Sequence, residues 1–227
     1  MKRIYMKKMI KLAACCLGII AIVACGNSVK GANGKSYDNY IDACADEDFD
    51  AAHKLLEKEG ITAQKDEHFY VFEKETSFLA GINDEQSTKR LIYLIKEEEA
   101  ALVGLEWTRV YNQFPIHIGK LMSLGVAADN IELVRGIYKQ CSGQIHLNPD
   151  LSVIEMMAKQ GTDEDNQLVI MHDKARYDKK WLKSNDALNH VDVAIRVQNK
   201  DLAKGLIEFL NAEDKAVAEK KLKAAFK

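Results

Sequence analysis

Residues 129–138 read DNIELVRGIY and residues 199–210 read NKDLAKGLIEFL. Each carries an asparagine near its start, Asn130 or Asn199, whose side-chain oxygen can cap a helix N-terminus. Seven and eight positions later stand the apolar pairs Ile137-Tyr138 and Leu206-Ile207. Two earlier stretches align with them on Asp48 and Asp84, with the pairs Leu55-Leu56 and Leu91-Ile92. Four positions after the anchors come Ala52, Thr88, Val134 and Ala203, small enough for close helix contact. Before each anchor lies an apolar helix end and a short polar turn: Ala43-Cys44 before Asp46-Glu47-Asp48, Leu79-Ala80 before Asn83-Asp84, Gly125-Val126 before Asp129-Asn130, and Ala194-Ile195 before Gln198-Asn199. Helix, turn, helix is therefore predicted four times, the anchors being 36, 46 and 69 residues apart.

The rest of the chain agrees with an all-α class from Tyr37 onward. Apolar residues recur three and four apart, as in Leu91, Ile92, Leu94 and Ile95, and β-branched alternation is scarce. Pro115 and Pro149 are predicted to mark breaks between elements, because proline disfavours a helix interior. Two architectures fit: helical hairpins stacked as an α-solenoid, or an irregular helical bundle whose hairpins share generic capping. DFDAAHKLL (48–56) resembles the second helix of tetratricopeptide hairpins, and the two stretches quoted above resemble ankyrin-type hairpins. A fixed period, the ankyrin turn signature and the tetratricopeptide Trp-Gly-Tyr framework are missing, so the resemblance covers the hairpin unit only. It implies an extended concave face used for binding. Residues 213–227, with Val217, Leu222 and Phe226 at helical spacing, are expected to form a terminal amphipathic helix that caps the stack.

The N-terminus carries a different signal. Lys2, Arg3, Lys7, Lys8 and Lys11 precede an uncharged apolar run from Leu12 to Ala24, the pattern of a secretory signal. Ile22, Val23 and Ala24 stand directly before Cys25, and Gly26 after it. This resembles the lipobox of bacterial lipoproteins. The resemblance implies export, cleavage before Cys25 and acylation of that cysteine. Leu12-Ala13-Ala14-Cys15 spells a second lipobox, but cleavage there leaves almost no apolar segment upstream to engage export. The organisation expected is a signal peptide at 1–24, the lipidated Cys25 with a glycine-rich flexible tether at 25–36, and an all-α domain at 37–227. No acidic cluster follows Cys25, which favours a periplasm-facing location in the cell envelope.

The signal holds five of the 32 basic residues and none of the 34 acidic ones, leaving a mature chain of −7. That balance is a poor match to nucleic acid, whose phosphates demand a basic footprint. Cys44 and Cys141 remain in the mature chain, both in apolar helical patterns that suit buried thiols.

Chemical motifs are few. Asp46, Asp48, Asp50 and Glu57 have the spacing of an EF-hand calcium loop, but Ala51 occupies the position that requires glycine, and a capped helix start explains the same residues. Asp163, Glu164 and Asp165 suit the first turn of a helix, and Glu97–Glu99 a solvated face. His172 and Asp173, being sequence neighbours, are expected to point to different sides of a helix. No HExxH, GxSxG, P-loop, GxGxxG or CxxC occurs. No metal, cofactor or catalytic residue is therefore assigned. Trp107, Tyr111 and Phe114 form an aromatic stripe, and Tyr177 and Trp181 a second pair. Such stripes are commonly core, yet Trp107, Tyr111 and Trp181 are the strongest candidates for a partner-binding surface. The function expected is a non-catalytic binding or scaffolding module for a protein or peptide, held by its acyl anchor. The alternatives are an envelope hydrolase using carboxylates such as Asp46 or Asp163, and a small-ligand carrier.

Overall fold

A computed structural model describes residues 28–105, 109–141, 147 and 149–227. Cys25, with the signal segment, and Trp107 lie outside them. The described residues are all-α, with eleven helices and one two-stranded sheet. They form two compact units, the first ending at Thr62 and the second spanning Ala63–Lys227.

In the first unit, β1 (Val29–Lys30) pairs antiparallel with β2 (Ser36–Tyr37), Val29 opposite Tyr37. Helices α1 (Tyr40–Ala45) and α2 (Phe49–Lys58) follow. The flexible tether expected up to residue 36 is thus replaced from Val29 onward by a folded ribbon. The reason lies in Asp48. Its Oδ1 accepts from Ala51 N to cap α2, while its Oδ2 accepts from Ala32 N at 2.9 Å. Gly31 permits that approach, since a Cβ there would fall 2.1 Å from Asp48 Oδ2. Val29 and Tyr37 are buried beside it.

The second unit contains α3 (Asp66–Ile82), α4 (Glu85–Leu102), α5 (Arg109–Ala127), α6 (Ile131–Gln140), α7 (Leu151–Gln160), α8 (Asp163–Asp178), α9 (Ser184–Arg196), α10 (Lys200–Glu208) and α11 (Ala212–Ala225). They pair as the hairpins α3/α4, α5/α6, α7/α8 and α9/α10. Helices α3, α5, α7, α9 and α11 pack each on the next, and so do α4, α6, α8 and α10. This is a two-layer stack in which each hairpin touches its neighbours.

All four anticipated caps form: Asp48, Asp84, Asn130 and Asn199 each accept from the backbone N–H three residues on. A fifth was missed. Thr162 caps α8 in a reciprocal capping box with Asp165 and divides the 69-residue interval into 32 and 37. Glu47, Asn83, Asp129 and Gln198, each directly before a cap, share the left-handed conformation, with φ between 54° and 64°.

Interfaces between hairpins repeat as well. Asn130 Nδ2 reaches back to Thr88 Oγ1 (2.9 Å) and Asn83 Oδ1 (2.6 Å). Asn199 Nδ2 reaches Asn166 Oδ1 (3.0 Å) and Ala158 O (2.9 Å). Between these two seams, Arg135 grips Asp165 through Nε and Nη2 at 2.7 and 2.8 Å, joining α6 to α8.

Three local expectations need correction. Pro115 lies inside α5 rather than at a break. The cost of the missing N–H, about 3 kcal/mol, is offset by burial of Phe114, Ile118, Leu121 and Met122 on the same helix. Glu98 and Glu99 are buried and only Glu97 is solvated. Helix α4 is covered by α3 on one side and α6 on another, so its buried arc is wider than its apolar stripe. On α11, Ala218 is buried whereas Val217 is 45% exposed.

Candidate interaction surface

The connection from α8 to α9 brings together lysines and an aromatic side chain. Lys179 caps the end of α8, its N–H donating to Ala175 O and Tyr177 O. Lys180 turns the chain with φ 61°. The backbone N–H groups of Trp181 and Leu182 then both donate to Arg176 O, at 2.8 and 3.1 Å. Leu182 is buried and pins the loop, while Trp181 stays half-exposed with Lys179 Nζ 4.5 Å from its ring centroid. An open cleft of about 540 Å³ lies here, lined by Tyr177, Asp178, Lys180, Leu182, Lys183 and Ser184; a separate cleft of about 460 Å³ lies between the N-terminal ends of α4 and α6. Asp178 is engaged by Lys174 at 2.9 Å, so the lysines give the α8–α9 cleft a positive balance. Tyr177 fixes one wall: its hydroxyl accepts from Asn211 N and Nδ2, and its ring packs on Phe209.

The other predicted aromatic residues are divided. Phe114 is fully buried, stacked on Phe72 with centroids 5.9 Å apart, and belongs to the core. Tyr111 is half-buried against that core. Tyr111 lies on α5 and Trp181 on the α8–α9 connection.

The carboxylates of the calcium and hydrolase readings have structural employment. Asp46 accepts from Lys35 Nζ (2.8 Å) and Tyr37 OH (3.0 Å), and these bonds hold its pKa below the usual carboxylate value. Both oxygens of Asp48 serve backbone N–H groups. Asp163 is exposed in the first turn of α8. Among the described residues no three His, Cys, Asp or Glu side chains converge as a metal site. No described helix is long and apolar enough to cross a membrane. Cys44 and Cys141 are buried thiols, and burial pushes Cys141 well above its usual pKa.

Sequence reading missed two buried polar groupings. In the first, His117 on α5 approaches Thr76 Oγ1 with Nε2 at 2.7 Å and Glu73 Oε1 with Nδ1 at 3.7 Å. The order hydroxyl, imidazole, carboxylate resembles a nucleophile with its base. However, Thr76 is fully buried and its hydroxyl donates to Phe72 O at 2.7 Å, so neither substrate nor base has use of it. Burial lowers the His117 pKa to about 4. In the second, His172 and Asp173 are both buried without a hydrogen bond between them, and Asp173 is bonded to His190. Each grouping is completed by a residue distant in sequence, His117 lying 41 residues from Thr76 and His190 17 from Asp173, so no local motif reveals it.

Comparison with known proteins finds no matching protein family, no similar curated protein and no similar solved structure.

Proposed function

We propose that this chain is a lipid-anchored protein of the bacterial cell envelope, facing the periplasm, that acts as a non-catalytic binding or scaffolding module for a protein or peptide. The observation that carries this reading is the α8–α9 loop, where half-exposed Trp181 stands beside Lys179, Lys180 and Lys183 at the rim of an open cleft. A tryptophan rimmed by lysines suits a partner segment that offers an apolar anchor and acidic side chains. Trp107, outside the described residues, is assigned to the same contact from its sequence. The lipobox-like segment before Cys25 supports the anchor.

The test is a cross-linked pull-down of the full-length protein from its native envelope. One stoichiometric protein partner is expected, and replacing Trp107 and Trp181 by alanine should remove it. A clean preparation without a partner overturns the binding reading. The anchor is tested separately. Cys25→Ala should abolish acyl labelling and leave the unprocessed precursor, whereas normal labelling and maturation of that variant would reassign the site to Cys15.

A further inference from the structure

Five titratable side chains are sealed together at the centre of the second unit: Tyr138 on α6, His172, Asp173 and Arg176 on α8, and His190 on α9, none more than 3% exposed. Asp173 is the carboxylate at their centre. Its Oδ2 lies 2.5 Å from His190 Nδ1, and its Oδ1 lies 3.5 Å from an Arg176 amino group. His172 is left over. Its Nδ1 is 3.8 Å from Asp173 Oδ1, beyond hydrogen-bond reach, and neither ring nitrogen has a hydrogen-bond partner. Its ring instead meets the Tyr138 ring edge-on, with centroids 5.1 Å apart, and the Tyr138 hydroxyl is also unpartnered.

Such groups are costly to seal, and they sit at the seam where α6, α8 and α9 pack. The other two helices against α8 offer no relief. The buried side chains of α7 are Val153, Ile154, Met156, Met157 and Ala158, and those of α10 are Leu202, Ala203, Leu206 and Ile207. The remaining charged group acting on the cluster is Asp186, through Arg176.

We propose that this cluster is an acid-sensitive latch: a proton taken up by His172 adds a cation beside Arg176 that Asp173, already engaged by His190, does not neutralise, and the α6–α8–α9 seam opens while α3 and α4 stay folded. Burial, the largest influence, and Arg176 both lower the His172 pKa, against the attraction of Asp173. The unfolded or opened state therefore binds the proton more readily, and opening is favoured as pH falls below the ordinary histidine value of about 6.5. The latch goes beyond the proposed function. Its consequence for binding rests on that reading: Arg176 O anchors the Trp181 loop, so movement of this segment would reshape the candidate contact surface.

The test is amide hydrogen exchange of the full-length protein, followed by mass spectrometry at pH 7.5 and 5.0 and corrected for intrinsic rates. It needs no partner, so failure of the binding reading leaves it intact. Opening of α8 and α9 should increase severalfold at pH 5.0, while opening of α3 and α4 does not increase. His172→Phe should remove the response, and His172→Gln should do so with a polar side chain retained, should the first variant fold poorly. Exchange in α8 and α9 that is unchanged or slower at pH 5.0 overturns the proposal. So does a response that survives in both variants, or one equal in α3 and α4.

Discussion

The caps at Asn130 and Asn199 perform two tasks that require an amide. The oxygen accepts from the second helix of the same hairpin, at Leu133 N or Leu202 N, while the nitrogen donates to the preceding hairpin. Six residues further on, Gly136 and Gly205 occupy matching places. A Cβ at Gly136 would stand 2.2 Å from Ile92 Cδ1 and 2.6 Å from its Cγ1, and one at Gly205 would stand 2.1 Å from Ile170 Cδ1. Gly136→Ala should therefore lower stability by about 1 kcal/mol, because overpacking of 1–3 kcal/mol exceeds the helix-propensity gain of about 1 kcal/mol. Gly119→Ala, with nothing within 4 Å of its added Cβ, should instead raise stability by roughly 0.5–1 kcal/mol. Urea unfolding of the two variants checks both, and a stabilised Gly136→Ala would contradict the tight seam.

At the scale of the element, capping and seam formation can be separated. Asn199→Asp preserves an oxygen that caps α10 and loses the bonds to Ala158 O and Asn166 Oδ1. It should cost about 1–2 kcal/mol despite aspartate being a good cap, since each lost bond is worth roughly 1 kcal/mol. A double-mutant cycle with Asn166→Ala should give a coupling of at least about 0.5 kcal/mol; additive effects would show that the α8–α10 bond contributes nothing. Helix α8 also explains why one hairpin escaped sequence reading. Its buried side chains are Asp165, Asn166, Val169, His172, Asp173 and Arg176. A helix that buries so many polar residues shows no apolar stripe, although Val169 and Ile170 stand seven and eight positions after Thr162, as the apolar pairs do in the other four hairpins.

At the scale of the whole molecule, opposed titrations shape the stability of the second unit. His117 falls to about 4 in the folded state, so the unfolded state binds more protons below pH 6.5 and folding is favoured as pH rises from about 4 to 6.5. Burial raises Glu98 and Glu99 to about 7, so there the folded state holds the extra protons and stability is lost as pH rises from about 4.5 to 7. The two carboxyls together outweigh the single histidine across their shared window. Glu98→Gln should bring the two trends near balance, with Glu99 against His117. The variant should match the parent near pH 4.5 and exceed it by up to about 3 kcal/mol at pH 8, taking 1.36 kcal/mol per unit. Thermal melts across that range check the prediction, and an unchanged difference from pH 4.5 to 8 would contradict it.

The all-α class and the caps at Asp48, Asp84, Asn130 and Asn199 were determined by the sequence itself, because capping and helical periodicity act within a few residues. The candidate surface was partly legible: Trp181 was singled out, but its lysine-rimmed cleft and the anchoring at Arg176 O depend on how α8 and α9 meet. Only the tertiary structure paired the hairpins into two layers, folded the ribbon from Val29 to Tyr37 onto Asp48, and buried Glu98, Glu99 and Asp173. Helix packing made those decisions, since a polar residue is buried or exposed according to neighbours that local sequence does not name.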